Sequence, residues 1–143
     1  MSDQQVEPSF SIEKIYVKDL SVEVPFAPQI FLEQEQPEVD LQLNTNTNAI
    51  SDDYFENVVN ATVTAKLADK IVFIVEASQA AVFQIKNVPK TDMPLVLNVA
   101  CPNIVFPYLR ELISDVIVRS GFPPVLLAPI NFEALYAQNQ AGS

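Results

Sequence analysis

Two carboxylates, Asp19 and Glu23, are the first residues in this chain whose types and spacing could do chemistry. They lie in the stretch KDLSVEVPFAP, where Leu20, Val22 and Val24 alternate with Asp19, Ser21 and Glu23 until Pro25. That period predicts a strand with one buried and one solvated face. Four residues of strand span about 13 Å, beyond the roughly 5 to 9.5 Å that carboxylate pairs use in glycoside hydrolysis. Acid–base work by the pair fails on geometry, which leaves a solvated face or a docking patch. Histidine is absent, removing the Ser-His and Cys-His nucleophile systems and the usual zinc and iron ligand sets. The only glycines are Gly121 and Gly142, so neither a phosphate-cradling loop nor a dinucleotide fingerprint can form. Cys101, the single cysteine, precedes Pro102 in an apolar context with no base nearby and reads as a small buried hydrophobe. No catalytic residue, metal site or cofactor is expected.

The elements that position these residues follow from hydrophobic period. Apolar residues run Phe10, Ile12, then Ile15, Val17, then Leu20, Val22, Val24, with phase slips at Glu13-Lys14 and Lys18-Asp19. Bulges, or a kink between two strands, restore one apolar face after each slip. EVDLQLNT predicts a second strand with Val39, Leu41 and Leu43 on one face, and NTNTNAISDD a turn. YFENVVNATVTAKL predicts a third strand with Phe55, Val59, Ala61, Val63 and Ala65 on one side. ADK is a tight turn, and IVFIVEASQAAVFQI is a fourth strand, apolar on both faces in its first half apart from Glu76. After Pro94 the period changes: Val105, Tyr108, Leu109, Leu112, Ile113, Val116 and Ile117 recur at helical spacing over about half the cylinder. Such a helix packs on its own sheet and on a second subunit, Leu112 and Val116 being assigned to the subunit contact. Gly121 caps it, and INFEALYAQ predicts a short final helix with Asn131 as N-cap. The expected fold class is α+β, a four-stranded antiparallel sheet with one long helix and one short one. The domain spans 10–137, between disordered tails at 1–9 and 138–143.

Composition constrains the partners. Hydrophobic residues make up 49% of 143 residues, yet the formal net charge is −10. An apolar excess beyond one small core points to a subunit interface or a binding surface. Eight scattered Lys and Arg argue against nucleic acid, whose binding needs clustered bases to displace counterions. The N-terminus lacks a signal-peptide pattern, and the most apolar stretch is broken by Asn and Pro, so neither export nor membrane insertion is expected, and the chain reads as cytoplasmic. Phe26, Phe31, Phe132, Tyr136 and Tyr108 form an aromatic set open to two readings, core residues or the lining of a groove for extended apolar peptide.

Several segments together resemble one family, the SecB protein-export chaperones: IYVKDLSVEVPFAP, QPEVDLQL, CPNIVFPYLRELI and GFPPVLLAPINFEALY, in that order over about residues 10 to 137. The resemblance implies a dimer of dimers that holds unfolded secretory precursors in the cytosol without ATP and passes them to the motor ATPase SecA. It places motor-docking acids on Asp19, Glu23 and Glu76, with Ile74 beside them. It places the client groove on Val39, Leu41 and Leu43, with Tyr108, Phe132 and Leu135 as its wall, and positions associated with subunit assembly on Val75, Ala77 and Gln79. The chain departs from the pattern at Glu35, where relatives often carry Trp, and at Ala80-Ala81, where a two-glycine turn is common and a different turn is expected here. The competing function is an oligomeric acidic adaptor that binds a folded basic partner and no unfolded chains.

Overall fold

The computed structural model describes residues 7–141, and the outermost parts of both expected tails lie outside the described residues. Four antiparallel strands, β1 (Ser9–Glu23), β2 (Glu38–Ser51), β3 (Tyr54–Leu67) and β4 (Lys70–Lys86), form one sheet in the order β1-β4-β3-β2. A short 3-10 turn, Gln29–Leu32, follows β1. Beyond β4 come α1 (Met93–Leu95), a π-helical turn Val96–Ala100, α2 (Cys101–Arg119) and α3 (Phe132–Ala141).

β1 is one strand with register shifts between Ile12 and Lys14 and between Val17 and Asp19. Both coincide with the phase slips of its apolar residues, because an extra residue is the means by which a strand keeps one face apolar after the alternation breaks. β2 is longer than its hydrophobic pattern suggested. The Asn/Thr run, expected as a turn, stays paired to β3, and only Asp52-Asp53 turns the chain. Cross-strand polar pairs sustain it: Asn60 Nδ2 donates to Asn44 Oδ1 at 2.8 Å, and Asn57 Nδ2 to Thr47 Oγ1 at 2.9 Å. Ala80-Ala81 makes no turn either; both residues are fully buried inside β4, the strand between β1 and β3. A strand paired on both sides and covered on both faces needs small or apolar residues there, which alanine supplies.

α2 lies across β3 and β4. Cys101, Val105, Leu109, Ile113 and Ile117, spaced every four residues, are fully buried and form the ridge that meets Val59, Ala61, Val63 and Val75 of the sheet. Pro102 has no N–H to continue the helical ladder, and the turn before it widens to π, the Cys101 N–H reaching Val96 O. At the far end Gly121 N–H bonds to Val118 O and Phe122 N–H to Ile117 O, the paired bonds of a Schellman cap. Gly121 sits at φ +94°, and a Cβ there would lie 2.8 Å from Phe31 Cε1. Gly121→Ala is therefore expected to cost about 1–2 kcal/mol and to push Phe31 off Phe122, now 5.2 Å away between ring centroids. A thermal melt with near-UV dichroism of the aromatic signal checks both effects. Asn131 caps α3, its Oδ1 accepting from Ala134 N–H at 2.9 Å, and the helix runs to Ala141, past the domain end expected at residue 137.

Candidate docking face and apolar cleft

Antiparallel partners share a sheet face, so the register assigns every strand residue to the helix side or the outer side. On the outer side Asp19 stands opposite Ser78, Ser21 opposite Glu76, and Glu23 opposite Ile74. Glu76 thus lies between Asp19 and Glu23, roughly 7–8 Å from each on the diagonal. Three residues from two strands, distant in sequence, form one triangle with Ile74 at its edge. All three acids are exposed, and among the described residues none makes an ion pair or a side-chain hydrogen bond.

A second carboxylate cluster on the same face is closed on itself. Glu56 accepts from Tyr16 OH and from Lys18 Nζ, the latter at 2.9 Å to both carboxylate oxygens. Burial pushes the Tyr16 phenol up to about 12, helped by its hydrogen bond to Glu56 and that group's charge. For Glu56 burial acts to raise the carboxyl, but the bonds from Tyr16 and Lys18 and the Lys18 charge outweigh it and hold it below the ordinary value. Tyr16 therefore contributes stability that is present below its ordinary pKa of 10.0 and lost as pH rises towards about 12. The Glu56 contribution is present above the ordinary carboxylate value and lost as pH falls through the lower folded one. Melting temperatures measured across both windows should fall at each end, less steeply at the alkaline end in Tyr16→Phe and less steeply at the acid end in Glu56→Gln. Cys101 is inert: burial pushes its thiol up to about 12.

The helix side carries the apolar residues. Val39 is 45% exposed on β2, while Leu41 and Leu43 are half-buried along the core's margin. Tyr108 projects from α2, 49% exposed, and Leu135 is half-buried on α3. Phe132 is no groove wall: it is 2% exposed and packed edge-on against Phe106 at 5.8 Å. Val75, Ala77 and Gln79 are buried within this one chain. Gln79 is satisfied internally, its Nε2 donating to Tyr16 O at 3.0 Å. Val116 is also buried, and Leu112 packs half-covered on the same core. The helix-side row of β1 is different. Phe10, Ile12, Val17, Leu20 and Val22 all remain exposed, so the face expected to be buried is left open by a single chain.

The structure adds a cleft that periodicity could not reveal, lined by Ile30, Phe31, Pro37, Leu67, Val72 and Phe122, with Glu33 and Glu35 among its remaining residues. Its volume of about 240 Å³ is below the ~300–1,000 Å³ of small-molecule sites and suits a side chain. Phe31, in a proline-flanked loop, is the available signal; its partner Phe122, tilted in turn against Phe73 with ring centroids 5.0 Å apart, comes from across the chain. Among the described residues there is no cluster of three or more potential metal ligands and no helix long and apolar enough to cross a membrane.

An antiparallel sheet with three unpaired acids on its outer face, and with apolar strand and cleft residues left open on the other, defines a protein-binding module. The family of preprotein translocase subunit SecB matches residues 3–143. The protein-export protein SecB of Chromobacterium violaceum is 60% identical over 99% of this chain and 95% of its own length. Those of Thiobacillus denitrificans and Neisseria meningitidis are 56% and 54% identical, over 98% and 96% of this chain and 91% and 94% of their own. A SecB-like chaperone of Mycobacterium tuberculosis, solved with a ChAD peptide from an antitoxin, shares the fold with a TM-score of 0.68 at 18% identity, covering 85% of this chain and 87% of that one. The chain belongs to the SecB family. It is a chaperone of protein export.

Proposed function

We propose that this chain is an ATP-independent holdase of the cytosol that keeps secretory preproteins unfolded and delivers them to the SecA motor. The observation that carries the reading is the division of the sheet: uncompensated carboxylates on one side, uncovered apolar side chains on the other. Asp19, Glu23 and Glu76 receive basic groups of the motor, and Ile74 offers an apolar contact at their edge. Val39, Leu41 and Leu43 on β2, with Tyr108 on α2 and Leu135 on α3 as further apolar contacts, bury client side chains at roughly 25 cal/mol per Å². Many weak contacts along an extended surface make such binding tight and promiscuous together.

The open helix-side row of β1 and the outward residues of α2, Tyr108 and Val118, support assembly as a dimer of dimers, which would cover apolar area that one chain leaves in water. Sedimentation should give a tetramer, and a stable monomer would count against this. Titration of the assembled protein with SecA and with an unfolded precursor, each in a salt series, tests the division of labour. Motor binding should weaken steeply with ionic strength and client binding hardly at all. Equal salt dependence of both would overturn the assignment.

A further inference from the structure

Lys18 and Asp19 are sequence neighbours of opposite charge, and an ordinary strand would send them to opposite faces. The second bulge of β1 does not: Val17 pairs with Gln79 and Asp19 with Ser78, leaving Lys18 as the extra residue. Both Lys18 and Asp19 then project from the outer face, as the Lys18 bond to Glu56 and the Asp19 register show. Side by side, the ammonium could settle on Asp19 and cancel it. It is held elsewhere, on both oxygens of Glu56, with Tyr16 OH donating to the same carboxylate. From the opposite face Gln79 Nε2 takes the Tyr16 carbonyl, fixing the backbone just before the bulge.

We propose that Glu56 is a positioning residue for the docking face: by drawing Lys18 across the sheet it leaves Asp19 as a free carboxylate for the basic partner. The inference rests on the docking role of Asp19 given above and adds the residue that keeps that role available. It also accounts for an acid nearly covered by its neighbours on a face whose other acids are open, the Glu56 side chain being 13% exposed against 49% for Lys18.

The experiment uses the full chain and the variants Glu56→Gln, Glu56→Gln with Lys18→Gln, and Asp19→Asn. Two readouts are taken, SecA affinity at low salt and the NMR resonance of the Asp19 carboxyl carbon, which needs no partner. Glu56→Gln should move the Asp19 resonance, as Lys18 is released onto it, and weaken SecA binding about two- to fivefold, the range of one exposed ion pair. Adding Lys18→Gln, which restores the net charge, should return both readouts to those of the parent chain. An unmoved Asp19 resonance in Glu56→Gln, or a double variant as weak as the single one, would overturn the proposal. If Asp19→Asn leaves SecA affinity unchanged while the resonance still responds to Glu56→Gln, the docking role falls and the redirection of Lys18 stands.

Discussion

Asp19→Asn, Glu23→Gln and Glu76→Gln combined should lower affinity for SecA by about 10²- to 10³-fold at low salt, with each exposed carboxylate contributing about 1–1.5 kcal/mol, at or just below the low end for charged hydrogen bonds. The three acids are exposed, unpaired and gathered by the register around Glu76, so a basic surface can engage them together. Because none is tied to another side chain of the fold, the triple variant should melt within a few degrees of the parent, exposed substitutions of this kind staying within about ±0.5 kcal/mol. Loss of like-charge repulsion acts in the stabilising direction. Calorimetric titration in a salt series is the measurement. The affinity of the triple variant should also become nearly independent of ionic strength, since the screened interaction has been removed. A variant that binds SecA as the parent does would remove the outer face from the account.

The second large effect separates core from the proposed client surface. Phe132→Ala should cost about 3–5 kcal/mol, as large-to-small changes at buried aromatic sites do, because its ring is closed against Phe106 and begins the helix that packs over the π-helical turn. Val39→Ser, at a half-open position on β2, should leave stability nearly unchanged and weaken holding of an unfolded precursor. Urea unfolding and an aggregation-suppression assay, run on both variants, distinguish the two positions. Comparable losses of stability in both would show that β2 belongs to the core along its whole length.

Local pattern revealed more of this fold than of its working surface. The slips in β1 mark where its period of two breaks, which a bulge or a kink can repair, and the register with β4 shows bulges within one strand. The helix of Cys101–Arg119 is legible from apolar residues recurring at helical spacing between Val105 and Ile117, and Asn131 from its capping chemistry. The Asn/Thr run of β2 looks like a turn in isolation because its pairing depends on Asn57 and Asn60 of the next strand, which no local window contains. Ala80-Ala81 escapes a local reading for a similar reason, its place inside β4 being set by the strands on either side.

Composition and period by themselves determined a four-stranded sheet, a long apolar helix, an acidic chain and the absence of histidine and of glycine-rich loops. Those properties depend on residue type and on neighbours within a few positions, which the chain states directly. Only the tertiary structure decided that Glu76 lies between Asp19 and Glu23, that Phe132 is closed and Val39 open, and that Lys18 belongs to Glu56 instead of Asp19. Each of these depends on register between strands or on packing between elements far apart in sequence, and a one-residue shift of β1 against β4 would reverse which side chains share a face.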